Sequence, residues 1–322
     1  MLNEGAAMVN VRFGFSLFLV LGFFVGTSAA DGTGGCPVPL QLRRGVPFVK
    51  VMLNGRGPFI FAVDTGTSRA AIVSPAVVKE LKLPMVGRAH LLDLTGRTTQ
   101  TVDETLLGTI ELPGHAFRSV RAMVHASLPS LGPYDGVLGF SLFRDTILTL
   151  DFPQRCLRLG DAGLPAGSDP NVLPFSTPRN VPVVALTIGE QRVLAQIDSG
   201  GGGINLPGSA ASAVEFAAHT EVPVRAQSQL NNFFLRGGVM KGEVVLGGHV
   251  FRQPFVEIGD QIPVGNLGAL SLQDFAITFD QGQRLVRFQA PGNVHRLNQT
   301  QFDVGNREPA KGAKTAGFEG GS

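Results

Sequence analysis

Short runs of Val, Leu, Ile and Phe recur along the chain, each closed after a few residues by Gly or Pro. Apolar runs of that length between turn residues predict strands rather than long helices. Residues 74 to 83, "SPAVVKELKL", break the pattern with the apolar spacing of a short helix opened by Ser74 and Pro75. Residues 13 to 26, "FGFSLFLVLGFFVG", form the longest apolar run; Arg12 precedes it and "TSAA" follows. A basic residue, an apolar stretch and a small-residue site are the parts of a secretory leader. The run is shorter than the roughly 20 residues that span a bilayer. A cleaved signal peptide over residues 1–30 is therefore predicted in preference to a stable membrane anchor, and with it an exported protein, periplasmic or secreted.

Two apolar runs end on an acid. "FAVDTGTSRA" (61–70) carries Asp64 and "LAQIDSGGGG" (194–203) carries Asp198, each followed by a small hydroxyl residue and glycine. An Asp before Thr-Gly is ordinarily a turn residue capping its own backbone. Here the surroundings repeat as well. "ELPGHAFRSV" from 111 recurs as "VLGGHVFRQP" from 245; the segment from "DGVLG" at 135 recurs in outline as "VGNLG" from 264; "VPFV" at 46 matches "VPVV" at 181. His115 lies as far beyond Asp64 as His249 lies beyond Asp198, so the two acids hold the same place in two copies of one β-rich unit. Related by an approximate twofold axis, they can meet where the copies join. Two carboxylates in contact cannot both ionise cheaply, so one proton is shared and the pair holds an acid and a base together. Such a pair can deprotonate a water and protonate the carbonyl that the water attacks.

Composition narrows the alternatives. With 27 basic and 25 acidic residues the net charge is +2, and no cluster of Lys and Arg supplies a phosphate track, so a nucleic-acid partner is not expected. No His or Cys spacing suits a metal, and the glycines at 200–203 are followed by no Lys of a phosphate loop, so neither metal nor cofactor is predicted. Cys36 and Cys156 are the two cysteines. An exported protein permits them to pair, closing a long loop worth about 4 to 5 kcal/mol in the chain-entropy model; two separate buried thiols are the other reading.

"VDTGTS", "IDSG" and the following "VLG" (137–139) and "NLG" (266–268) resemble the paired loops and strands of the aspartic proteases, pepsin-like and retropepsin-like, over roughly residues 45 to 290. The resemblance implies an all-β, bilobal acid-protease fold in a single chain: two related β-barrel-like lobes, 45–160 and 181–290, with the active site between them. Around these lie a lead-in (31–44), a linker (161–180) and a disordered tail (291–322). It makes Asp64 and Asp198 the catalytic dyad of an endopeptidase acting on extended polypeptide, with the chain a monomer. Thr65 and Ser199 would brace the two loops crosswise, Gly66 and Gly200 would bring backbone N–H groups to the carboxylates, and Thr67 would hydrogen-bond the outer oxygen of Asp64. Two hairpins would fold over the substrate, turning at Thr95, Gly96 and Arg97 in the first copy and at Gly237 and Gly238 in the second.

The sequence departs from that pattern in two places. Where Thr67 stands in the first copy the second has Gly201, with no hydroxyl, so Asp198 is expected to keep the shared proton and Asp64 to be the ionised base. The only tyrosine, Tyr134, precedes the "DGVLG" strand instead of lying on a hairpin. Both departures suit an alternative, a peptide-binding protein that keeps the cleft without turnover; retention of two mutually repelling acids favours the enzyme. A structural β-protein with the acids far apart is a third reading. His115, His249, Arg118 and Arg252 are read as structural or solvated.

Overall fold

The described chain opens in strands, not in the irregular lead-in expected over 31–44: β1 (Val38–Pro39) and β2 (Gln41–Arg43) pair with later segments. The structure is a computed structural model that describes residues 35–92, 99–126, 131–165, 167–227 and 232–297. The predicted signal peptide lies outside the described residues. Cys36 and Cys156 are disulfide-bonded, with Cα atoms 5.5 Å apart, which ties this opening segment to β11 and resolves the two cysteine readings.

Alternation of side chains builds the first half. In β3 (Val46–Leu53) Phe48, Val49, Val51 and Leu53 are buried and Lys50 is exposed; β4 (Arg56–Asp64) buries Phe59, Phe61 and Val63. β5 (Ala71–Val73) leads to α1 (Pro75–Leu81), the predicted helix, capped by the Ser74 hydroxyl accepting from Val77 N–H at 3.3 Å. β6 (Met85–Leu92), β7 (Thr99–Leu112), β8 (His115–Val124) and β9 (Gly136–Gly139) complete an eight-stranded sheet in the order β2-β3-β4-β9-β5-β8-β7-β6. β10 (Ile147–Asp151) and β11 (Cys156–Gly160) then leave it.

The expected linker contributes β12 (Val172–Pro174), and the second half repeats the strand order of the first with some strands divided. β13 (Val183–Ile188), β14 (Gln191–Asp198), β15 (Ile204–Pro207), β16 (Glu215–Phe216), β17 (Val222–Gln227), β18 (Asn232–Lys241), β19 (Glu243–Leu246), β20 (His249–Arg252), β21 (Phe255–Gly259) and β22 (Gly265–Gly268) follow. β14 runs parallel to β22 as β4 does to β9, and β15 lies between β22 and β21 as β5 lies between β9 and β8. The second copy splits the work of the long β7 between β18 and β19.

Both halves then share a sheet. β10 pairs antiparallel with β23 (Ala276–Asp280), Thr149 facing Thr278 with their hydroxyls 3.0 Å apart, and β24 (Leu285–Gln289) completes the order β1-β11-β10-β23-β24-β12. Phe140 of the first half meets Phe279 of the second edge-on at 5.3 Å, within one apolar core that draws on both. The tail is ordered further than predicted: β25 (Val294–His295) pairs with β20 and buries His295, because an imidazole and an edge backbone both find partners there. Residues 298–322 lie outside the described residues.

Candidate active site

Each acid ends a strand that a second strand supports. β4 stops at Asp64 opposite Gly139 of β9, and β14 stops at Asp198 opposite Gly268 of β22. Both loops then turn alike: Thr67 N–H donates to Asp64 O at 3.2 Å, and Gly201 N–H to Asp198 O at 3.1 Å. The repeated strand pairing carries the two turns to the same place.

There the loops brace each other through their hydroxyl residues. Thr65 Oγ1 donates to Ile197 O at 2.7 Å and accepts from Ser199 N–H at 3.0 Å; Ser199 Oγ donates to Val63 O at 2.7 Å and accepts from Thr65 N–H at 3.0 Å. Thr65 and Ser199 are buried, so these four bonds satisfy groups that would otherwise be costly.

The bracing brings Asp64 and Asp198 into hydrogen-bond contact. Each carboxylate is held by its own loop, Gly66 N–H donating to Asp64 Oδ1 at 2.8 Å and Gly200 N–H to Asp198 Oδ1 at 3.0 Å. Each also lies over the glycine of the other loop. A Cβ on Gly66 would fall 2.5 Å from Asp198 Oδ1, and one on Gly200 2.4 Å from Asp64 Cγ, so only glycine allows the approach. Burial, then the charge of Asp64 and the hydrogen bond with it, push the Asp198 carboxyl well above its ordinary range; the N–H groups of Gly200 and Gly201 oppose the rise without cancelling it. The arrangement favours the neutral form of Asp198 beside Asp64.

The outer oxygens are treated unequally. Thr67 Oγ1 donates to Asp64 Oδ2 at 2.8 Å. At Asp198 the place of that hydroxyl falls to Gln196, whose Nε2 lies 3.4 Å from Oδ2. The sequence reading missed Gln196. Its signal was an amide at the position where the first copy has Ala62.

The hairpins agree with expectation only in part. β6 and β7 form the first, and Thr95, Gly96 and Arg97 lie outside the described residues. β17 and β18 form the second, but Gly237 and Gly238 do not turn it. They sit within β18, Gly237 opposite Val222 and Glu257 and Gly238 opposite Val256. A Cβ there would come within 2.7 Å of Val224 and 2.8 Å of Phe216, so these glycines serve strand packing, and residues 228–231 between the two strands lie outside the described residues. Tyr134 is buried edge-on against Phe48. His249 is buried, its Nε2 3.0 Å from Phe288 O, and Arg252 is a surface partner of Glu243.

Residues 49–142 match the family model described as aspartyl protease, a span that contains Asp64, its loop and the supporting strand β9. The match supports the aspartic protease family, and the all-β fold is consistent with it. No curated protein matches the chain.

Proposed function

From the aspartyl protease match over residues 49–142, we propose that the protein is an aspartic endopeptidase in which Asp64 and Asp198 share one proton. The observation that carries this reading is the hydrogen-bonded contact of the two carboxyls at the meeting of the braced loops.

Asp64, held by two donors, is the ionised member; Asp198, pushed upward by burial and by Asp64, keeps the proton. Asp64 takes a proton from water as the oxygen attacks the peptide carbon, and Asp198 gives its proton to the carbonyl oxygen. The C–N bond of the resulting diol then breaks as Asp64 passes its proton to the departing nitrogen and Asp198 takes one back from a diol hydroxyl, leaving a carboxylic acid and restoring the pair. Neutron density that placed the shared proton on Asp64 would reverse the roles. The substrate is an extended chain lying between the hairpins β6–β7 and β17–β18, bound through its backbone. We also propose export of the mature chain, which the Cys36–Cys156 disulfide suits; recovery of the protein from the cytosolic fraction alone, with residues 1–30 retained by N-terminal sequencing, would count against it.

The function is tested by incubating the mature protein with denatured protein from pH 3 to 8, with and without a pepstatin-type inhibitor. Cleavage is expected from the wild type and not from Asp64→Asn or Asp198→Asn. Binding of peptide without cleavage by the wild type would point instead to the non-hydrolytic reading.

A further inference from the structure

The two halves differ most sharply in one row of residues that crosses the sheet toward the second acid. In the first half Ala62 (β4), Val137 (β9), Ile72 (β5) and Met123 (β8) are neighbours in register, and all four are buried and apolar. The same register positions in the second half are Gln196 (β14), Asn266 (β22), Asn205 (β15) and Glu257 (β21). Every member of the row is polar. Asn266 and Glu257 are buried, 7% and 2% exposed, so the exchange costs desolvation that the apolar quartet avoids.

The row is hydrogen-bonded in two pairs. Gln196 Nε2 donates to Asn266 Oδ1 at 2.8 Å, and Asn205 Nδ2 donates to Glu257 Oε2. The second hydrogen of Gln196 Nε2 points to Asp198 Oδ2, 3.4 Å away. Gly201 belongs to the same device. A Cβ at position 201 would fall 2.6 Å from Asn266 Nδ2 and 2.6 Å from Asp198 Oδ2, so the Asn266 amide occupies the space that a side chain like that of Thr67 would need. The missing hydroxyl and the polar row exclude each other sterically.

We propose that Gln196, anchored by Asn266, is a positioning residue for Asp198, and that it replaces the loop hydroxyl that serves Asp64 in the other half. This rests on the hydrolase reading for its catalytic consequence, though not for its effect on the carboxyl itself. An amide is a neutral donor and a long one here, so it holds the oxygen while favouring ionisation less than Thr67 does at 2.8 Å. The row thereby keeps the pair asymmetric. The ionisable groups concerned are Asp64, in contact with Asp198, and Glu257 at the far end of the row.

The test is a titration of the Asp198 carboxyl carbon by 13C NMR, assigned with Asp198→Asn, beside kinetics on denatured protein. Gln196→Ala installs the residue of the first half, and Gln196→Met keeps the volume without the donor. Both are expected to raise the Asp198 midpoint by about half a unit or more. Both should lower kcat by about fivefold with KM little changed, and move the alkaline limb of the pH profile upward. Gly201→Thr alone should disrupt the site, whereas combined with Gln196→Ala and Asn266→Val it should return the midpoint toward or below the wild-type value. An Asp198 midpoint unmoved by Gln196→Ala and Gln196→Met in folded protein overturns the positioning role, whatever the activity. A moved midpoint in a wild type that cleaves nothing sinks the hydrolase reading and keeps the positioning role.

Discussion

Thr67 and Gly66 are the residues whose loss tests the site most directly. Thr67→Val removes a 2.8 Å bond to the outer oxygen of Asp64 and is expected to lower kcat about tenfold or more, read from steady-state kinetics, with the melting temperature nearly kept. Gly66→Ala sets a methyl 2.5 Å from Asp198 Oδ1 and should abolish cleavage by forcing the carboxyls apart. The pair also leaves a signature in stability. Folded Asp198 keeps a proton that the unfolded chain sheds above its ordinary value of 3.8. The folded state therefore binds more protons in that window, and stability falls as pH rises from about 3.8 toward the raised folded value. Melting temperatures measured across the window should show this fall in the wild type and not in Asp198→Asn.

At the scale of elements, strand β25 is held by a chain of side chains that runs inward from exposed Asp274 to buried His295 and His249. His295 Nδ1 lies 3.0 Å from Asp274 Oδ2, His295 Nε2 3.2 Å from His249 Nδ1, and His249 Nε2 3.0 Å from Phe288 O. Burial lowers the His249 pKa from its ordinary 6.5, against the opposing pull of the Phe288 carbonyl. The unfolded chain takes up a proton below 6.5 that folded His249 resists, so this strand's anchorage weakens as pH falls below that value. Protection factors of the Val294 and His295 amides, with the intrinsic pH dependence of exchange divided out, should fall between pH 7 and 5 before the sheet β10–β23 opens. Uniform protection of β25 across that range would show that His249 does not control it. Asp280 works in the same acid direction lower down. Burial acts to raise its pKa, but the N–H groups of Gln283 and Leu164 and the Gln283 side chain outweigh burial and leave it lowered, so its contribution is present above 3.8 and lost as pH falls through the folded value.

For the whole molecule the disulfide and the shared sheet matter most. Cys36 and Cys156 enclose a separation of 120 residues, so Cys36→Ser with Cys156→Ser is expected to cost about 4 kcal/mol in denaturant unfolding. Cleavage by the variant should persist, because neither sulfur touches the acids. Unfolding in a single step is expected, since β10 and β23 interleave the halves and Phe140 joins their core. Two separated transitions would show that the halves fold as independent units.

The chain's own pattern was enough to find Asp64 and Asp198 and the duplication around them, because a residue order repeated twice survives in a string of letters, and to find the helix at 75–81 from its apolar spacing; the bracing by Thr65 and Ser199 followed from the family resemblance. The pattern did not place Gly237 and Gly238 within β18, draw β1, β12 and β25 out of segments read as lead-in, linker and tail, or reveal the Gln196 row. Strand pairing at long range fixes all of these. Edge backbones are satisfied by whatever segment reaches them, and which residues stand side by side across a sheet depends on register between strands far apart in the chain. The acids were therefore legible one by one, and their unequal surroundings only once the sheet had closed.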